Sequence, residues 1–119
     1  MEKSETDGLK IYEYLVNHLD TLNDDQLSEV VDSLSGKDIS AQYLASAARY
    51  LNAIDPVGYK EFIDRMVELI IERDREHRYI PELTAALYGA DYAERADELS
   101  ARDNNFRRLY KRLHPVNAM

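Results

Sequence analysis

The chain contains no cysteine and no tryptophan, and its 119 residues include only four glycines and three prolines. Without cysteine, no disulfide framework can form and no thiolate can act as nucleophile or metal ligand. So few glycines and prolines exclude fibrous or low-complexity architecture and leave few places where a helix must break. No apolar run approaches the roughly 20 residues that cross a bilayer. The opening stretch "MEKSETDGLK" is polar and acid-rich and reads as neither a signal nor a transit peptide. A cytoplasmic protein with no membrane attachment is the expectation. Also missing are a Gly-rich phosphate loop, the G-x-S-x-G elbow and H-E-x-x-H. No catalytic residue, cofactor or metal is therefore expected, and the chain does not read as an enzyme.

What is present is a mixture of 45% apolar and 32% charged residues, enough for one domain with its own core. The net charge of −8 is unevenly placed. Residues 1–64 hold 13 acidic against 5 basic side chains, whereas residues 102–119 hold 1 against 5. A net negative domain repels phosphates, which argues against nonspecific nucleic-acid binding.

The apolar residues recur at helical spacing. Leu9, Tyr12, Leu15, Val16, Leu19 and Leu22 form one stripe. In "LNDDQL", Asn23 and Gln26 have the spacing of a capping box, with Leu22 and Leu27 at its hydrophobic staple. A second helix carries Leu27, Val30, Val31 and Leu34, and Gly36 is expected to stop it in a left-handed conformation. A third, beginning near Asp38 or Ser40, presents Leu44, Ala47, Ala48 and Leu51. Asp55-Pro56 reads as a cap and first helical position. The helix that follows is the most apolar, with Phe62, Ile63, Met66, Val67 and Ile70 suiting it to the centre of a bundle. Its end, "ERDREHR", reads as a solvated charge run with Arg73, Arg75 and Arg78 paired to Glu72 and Glu76. Pro81 and Gly89 bracket a fifth helix. The last segment is interrupted at "ARDNN", where a kink or a break is expected, since Asp and Asn prefer caps. No period-two alternation is sustained. The fold expected is all-α, a compact bundle of five or six short helices in a single domain. Its organisation is a frayed N-terminus over residues 1–7, one helical domain over 8–114 and a C-terminal tail over 115–119. Residues 7–36 and 39–78 share no positions beyond generic apolar spacing, so a bundle is favoured over a two-helix repeat.

Candidate chemistry is sparse. Asp74-x-x-His77 would set a carboxylate and an imidazole on one helical face, but di-iron bundles use such a motif twice, with Glu. The single copy here lies within a charge run. The nine tyrosines include Tyr14, Tyr50, Tyr79 and Tyr88, which fall off or beside the core stripes and suit either helix junctions or an interface.

"FRRLYKRLHP", residues 106–115, resembles the second helix and following His-Pro of the J domain, the module that stimulates Hsp70 ATPases. Phe106, Leu109 and Leu113 match its core positions, Arg107, Arg108, Lys111 and Arg112 its basic face, and His114-Pro115 the start of its His-Pro-Asp tripeptide. Val116 stands where that family has its essential acid, so the resemblance implies no such activity here.

Two surfaces remain as candidates. Glu13, Asp20, Asp24, Asp25, Glu29 and Asp32 would offer a partner protein an acidic face, able to complement a basic groove or to imitate a nucleic-acid backbone, as small acidic inhibitors do. Arg102, Arg107, Arg108, Lys111 and Arg112, with Tyr110 for stacking, form the alternative, a basic ridge for nucleic acid. The tail reads foremost as the last helix of the bundle, its cations paired with the acidic half. A protein partner is expected ahead of nucleic acid, and the sequence leaves self-association open.

Overall fold

The computed structural model describes residues 3–114; the expected tail, 115–119, and the first two residues lie outside them. Among the described residues there are seven α-helices and no strand: α1 (Lys3–His18), α2 (Asp24–Lys37), α3 (Gln42–Ile54), α4 (Lys60–Arg73), α5 (Ile80–Tyr88), α6 (Ala96–Arg102) and α7 (Asn104–Leu113). Short 3-10 turns follow α1 and precede α6. The count exceeds five or six because the last segment breaks at Asp103, which caps α7 by accepting from the Phe106 amide at 3.1 Å. None of the described helices is long and apolar enough to cross a membrane.

The helices pack in two layers. α1, α3 and α5 lie side by side in one and α2, α4 and α7 in the other, and the hairpins α1–α2, α3–α4 and α5–α7 join the layers. This accounts for a flattened shape of 43 × 34 × 19 Å, its least dimension close to two helix diameters. α6 and the 3-10 turn before it fit between α5 and α7, the turn packing on α5 and α6 on α7.

The core runs between the layers through Leu15, Leu27, Leu34, Leu44, Leu51, Met66, Ile70 and Ile80, all fully buried. α4 is central as expected, burying six apolar side chains against α2, α3 and α7. Ala45, Ala47 and Ala48 on α3 are buried because their small side chains let neighbouring backbones approach. Gly8 serves the same end on α1: a Cβ there would lie 2.9 Å from the Tyr43 ring.

Most helix ends follow the sequence. The Asn23–Gln26 capping box is complete, at 2.8 and 3.0 Å. Pro81 lies in the first turn of α5, and Gly89 ends that helix with φ +98°. Asp55 accepts from the Gly58 amide at 3.0 Å, capping a turn at Pro56, although the regular helix starts only at Lys60.

Two expectations fail. Gly36 is not a left-handed stop: α2 passes through it to Lys37, and the positive φ falls instead on Ala41, at 74°, just before α3. The turn is set by Asp38, which is buried and accepts from the Leu44 amide at 2.6 Å. "ERDREHR" is not simply a solvated end either. α4 stops at Arg73, whose guanidinium donates to the carbonyls of Ser35 and Asp38 at 2.6 and 3.0 Å. Asp74, also buried, accepts from the amides of Arg78, Tyr79 and Ile80 at 2.8–2.9 Å, and so starts α5.

Candidate interaction surfaces

The acidic residues do not form one continuous face. Asp25, Glu29 and Asp32 follow one another by four and three residues along the solvent side of α2, opposite buried Leu27, Val31 and Leu34. Asp24 and Asp25 also occupy the first turn, where carboxylates favour the positive end of the helix. Asp32 is partly neutralised by Arg65 of α4, whose guanidinium reaches it at 3.2 Å and Ser28 at 3.0 Å. Asp20 is set apart in the 3-10 turn after α1.

What the sequence reading missed is apolar surface beside these acids. A groove of about 370 Å³ runs along the first hairpin, between Lys10, Ile11 and Tyr14 of α1 and Glu29, Val30 and Ser33 of α2. Tyr14 is 47% exposed, its ring stacked on His18 at 4.3 Å. Exposed Glu13 and Asp25 lie on the same two helices. The signal was present: Ile11 and Tyr14 are three residues apart, off the main stripe of α1, and Val30 sits at the edge of the α2 stripe. A second groove, about 430 Å³, lies where α1 and α3 end and α4 begins, lined by Val16, Asn17, Leu19, Asp20, Tyr50, Ile54 and Tyr59. Ile54 and nearby Val57 are 54% and 84% exposed, more than a bundle interior would leave uncovered.

The basic ridge occupies α6 and α7. α7 buries Asn105, Phe106 and Leu109 against the domain and directs Arg107 and Lys111 to solvent, with Arg108 and Arg112 half-buried on its flanks. Arg102 pairs with Glu98 at 3.6 Å, and Arg107 donates to Asn104. Arg107, Arg108, Lys111 and Arg112 make no ion pair among the described residues, so the expected pairing of the tail with the acidic half is not found there. Tyr110 stacks on Phe106, its centroid 5.6 Å away, and is half-buried.

The metal reading of Asp74 and His77 fails on geometry. They share no helical face, because the helix ends between Arg73 and Asp74 and His77 adopts φ 58° in the connection. Among the described residues no group of three or more His, Cys, Asp or Glu could hold a metal ion.

Among the described residues, Asp38 and Tyr88 have shifted titration. Burial raises the Asp38 carboxyl above its ordinary value, opposed by the backbone amides it accepts from and by Arg73. Burial pushes the Tyr88 hydroxyl up, reinforced by Asp103, which accepts its hydrogen bond at 3.0 Å. Both groups hold helices together. Compared with protein-family models, curated proteins and solved structures, the chain matches none.

Proposed function

We propose that this chain is a non-enzymatic interaction module that receives a basic segment with apolar anchors from a partner protein. The observation that carries the reading is the groove on the first hairpin, where Ile11, Tyr14 and Val30 lie beside Glu29. Tyrosine and aliphatic surface provide contact area, while Glu13, Asp25 and Glu29 steer a cationic partner and set its register. Apolar surface interleaved with carboxylates suits a peptide or helix better than it suits imitation of a phosphate track. Asp20, beside the second groove, extends the same character. Asp24 and Asp32 contribute less, being committed to the helix end and to Arg65 respectively.

The test is capture of a partner from the native host, followed by measurement of its affinity for variants. Tyr14→Ala and the double reversal Asp25→Lys/Glu29→Lys should each weaken binding about tenfold or more, with the reversal acting chiefly on association rate. A partner indifferent to both substitutions would sink the reading.

One observation favours a second reading: four cations on α7 lack ion-pair partners among the described residues, with Tyr110 between them. They would let α7 contact a single-stranded nucleic acid. Such binding would weaken steeply with added salt and vanish in Arg107→Ala/Arg108→Ala; an oligonucleotide affinity insensitive to either change rejects it.

A further inference from the structure

The α4–α5 connection borders an open polar cavity of about 310 Å³ that the protein-partner reading does not use. Three arginines line it, Arg73, Arg75 and Arg78, together with Ser40 and Tyr79. Such a concentration of guanidinium groups stands out in a chain of net charge −8.

Two carboxylates, Asp74 and Glu76, stand against the three guanidinium groups, and Glu76 engages Arg78 through both Nε and Nη2, so the donors left over belong to Arg73 and Arg75. Both oxygens of Asp74 face the backbone, accepting three amides at the start of α5, and the residue is only 3% exposed. Its charge therefore answers the positive end of that helix. Glu76 sits on the exposed rim, 2.8 Å from Arg78, where solvent screens the pair.

The donors, by contrast, are held ready. Nη1 of Arg73 is fixed by the carbonyls of Ser35 and Asp38, while Nε and Nη2 have no partner among the described residues. The guanidinium of Arg75 has none there either, and the hydroxyls of Ser40 and Tyr79 donate to none of the described residues, the Ser40 oxygen accepting from the Gln42 amide at 3.4 Å. His77 holds a left-handed φ of 58° inside the connection, a conformation unfavourable for a residue with a β-carbon, and it persists because Asp74 ties the loop on both sides.

We propose that this cavity binds the phosphate group of a small phosphorylated molecule. Arginine presents its N–H donors in a planar fork that matches pairs of phosphate oxygens. Two forks and two hydroxyls satisfy a group with three terminal oxygens, whereas a carboxylate offers only two. The volume exceeds that of phosphate alone and falls within the range of small-ligand sites, leaving room for the organic part of a monoester.

The experiment is a titration of the 15N-labelled chain with inorganic phosphate and, separately, with O-phosphoserine. Sodium chloride at matched ionic strength and unphosphorylated serine are the controls. Saturable shifts are expected at the Nε–Hε signals of Arg73 and Arg75 and at the amides of residues 74–79. Arg75→Gln should weaken binding about tenfold through loss of one charge-assisted fork. This is the clean variant, because Arg75 is exposed and has no hydrogen-bond or ion-pair partner among the described residues. Ser40→Ala, removing one neutral donor, should weaken binding by a smaller factor. Tighter binding of phosphoserine than of phosphate identifies a monoester as the ligand, and equal affinities identify free phosphate. Shifts that chloride reproduces, or a saturable response unchanged in Arg75→Gln, overturn the proposal.

Discussion

Asp74 and Asp38 show how much a single buried carboxylate decides in this molecule. Asp74 closes the end of α4 and opens α5 through three backbone amides. Asp74→Ala would leave those donors without acceptors in a buried setting, and a loss of about 3 kcal/mol is expected, measured by urea unfolding. Asp74→Asn, keeping one acceptor oxygen, should lose less. Neither residue's role was legible in the sequence. A charged residue in "ERDREHR" reads as solvated until the chain is seen to fold back over it, and burial depends on that return path. Asp38 yields a test in pH. Its folded-state pKa is raised, so between the unfolded and folded values the native state holds the extra proton. Its contribution is therefore most favourable below the ordinary carboxylate range and is lost as pH rises through the folded value. In unfolding experiments from acid to neutral pH, the stability of the native chain relative to Asp38→Asn should fall as pH increases. A difference that stays flat or rises would contradict the assigned burial.

Helix ends separate what local chemistry specifies from what it does not. The capping box at Asn23, the bracket of Pro81 and Gly89, and the break at "ARDNN" were all readable because each uses residues within a few positions of one another. Gly36 was misread because a glycine near a helix end signals a stop only when the chain needs a positive φ there. That need was met five residues later, at Ala41. The two glycines therefore respond oppositely to a methyl group. Gly36 is helical and exposed, with nothing within 4 Å of the added carbon, so Gly36→Ala should stabilise by about 0.5–1 kcal/mol. Gly89→Ala meets a φ of +98° and Asp91 at 3.0 Å, and should destabilise by about 1 kcal/mol or more. Thermal or chemical unfolding of the pair decides both signs. At the other break, Asp103 caps α7 and accepts from Tyr88, whose ring lies edge-on to Phe106 at 4.9 Å. Asp103→Ala should cost about 2 kcal/mol through loss of the cap and of the acceptor. It should also lower the pH at which Tyr88 ionises, read by ultraviolet absorbance.

At the scale of the whole chain, helical periodicity announced the fold class, and the order of layers stayed hidden. The three hairpins lie next to one another without repeating in sequence, and each contact between them uses different side chains: Gly8 against Tyr43, Arg65 against Asp32, Asn105 reaching the Asp64 carbonyl at 3.5 Å. The candidate grooves were hidden for a related reason. Ile11 and Val30, off or at the edge of their stripes, could equally have packed on a neighbouring helix until the first hairpin is seen to have no further helix on its outer side among the described residues. The charge asymmetry, by contrast, was readable directly, and the structure keeps it: α2 carries a row of exposed acids, and α7 carries cations with no ion pair among the described residues. A ladder of this kind does not come apart all at once. The middle rung, α3 and α4, is braced from both sides, whereas α1 and α2 are braced from one. Amide protons should therefore exchange with deuterium soonest in the first hairpin and last in the middle one. Any partner that settles on the outer groove would then slow exchange where the free chain is quickest to open, acting as the missing neighbour.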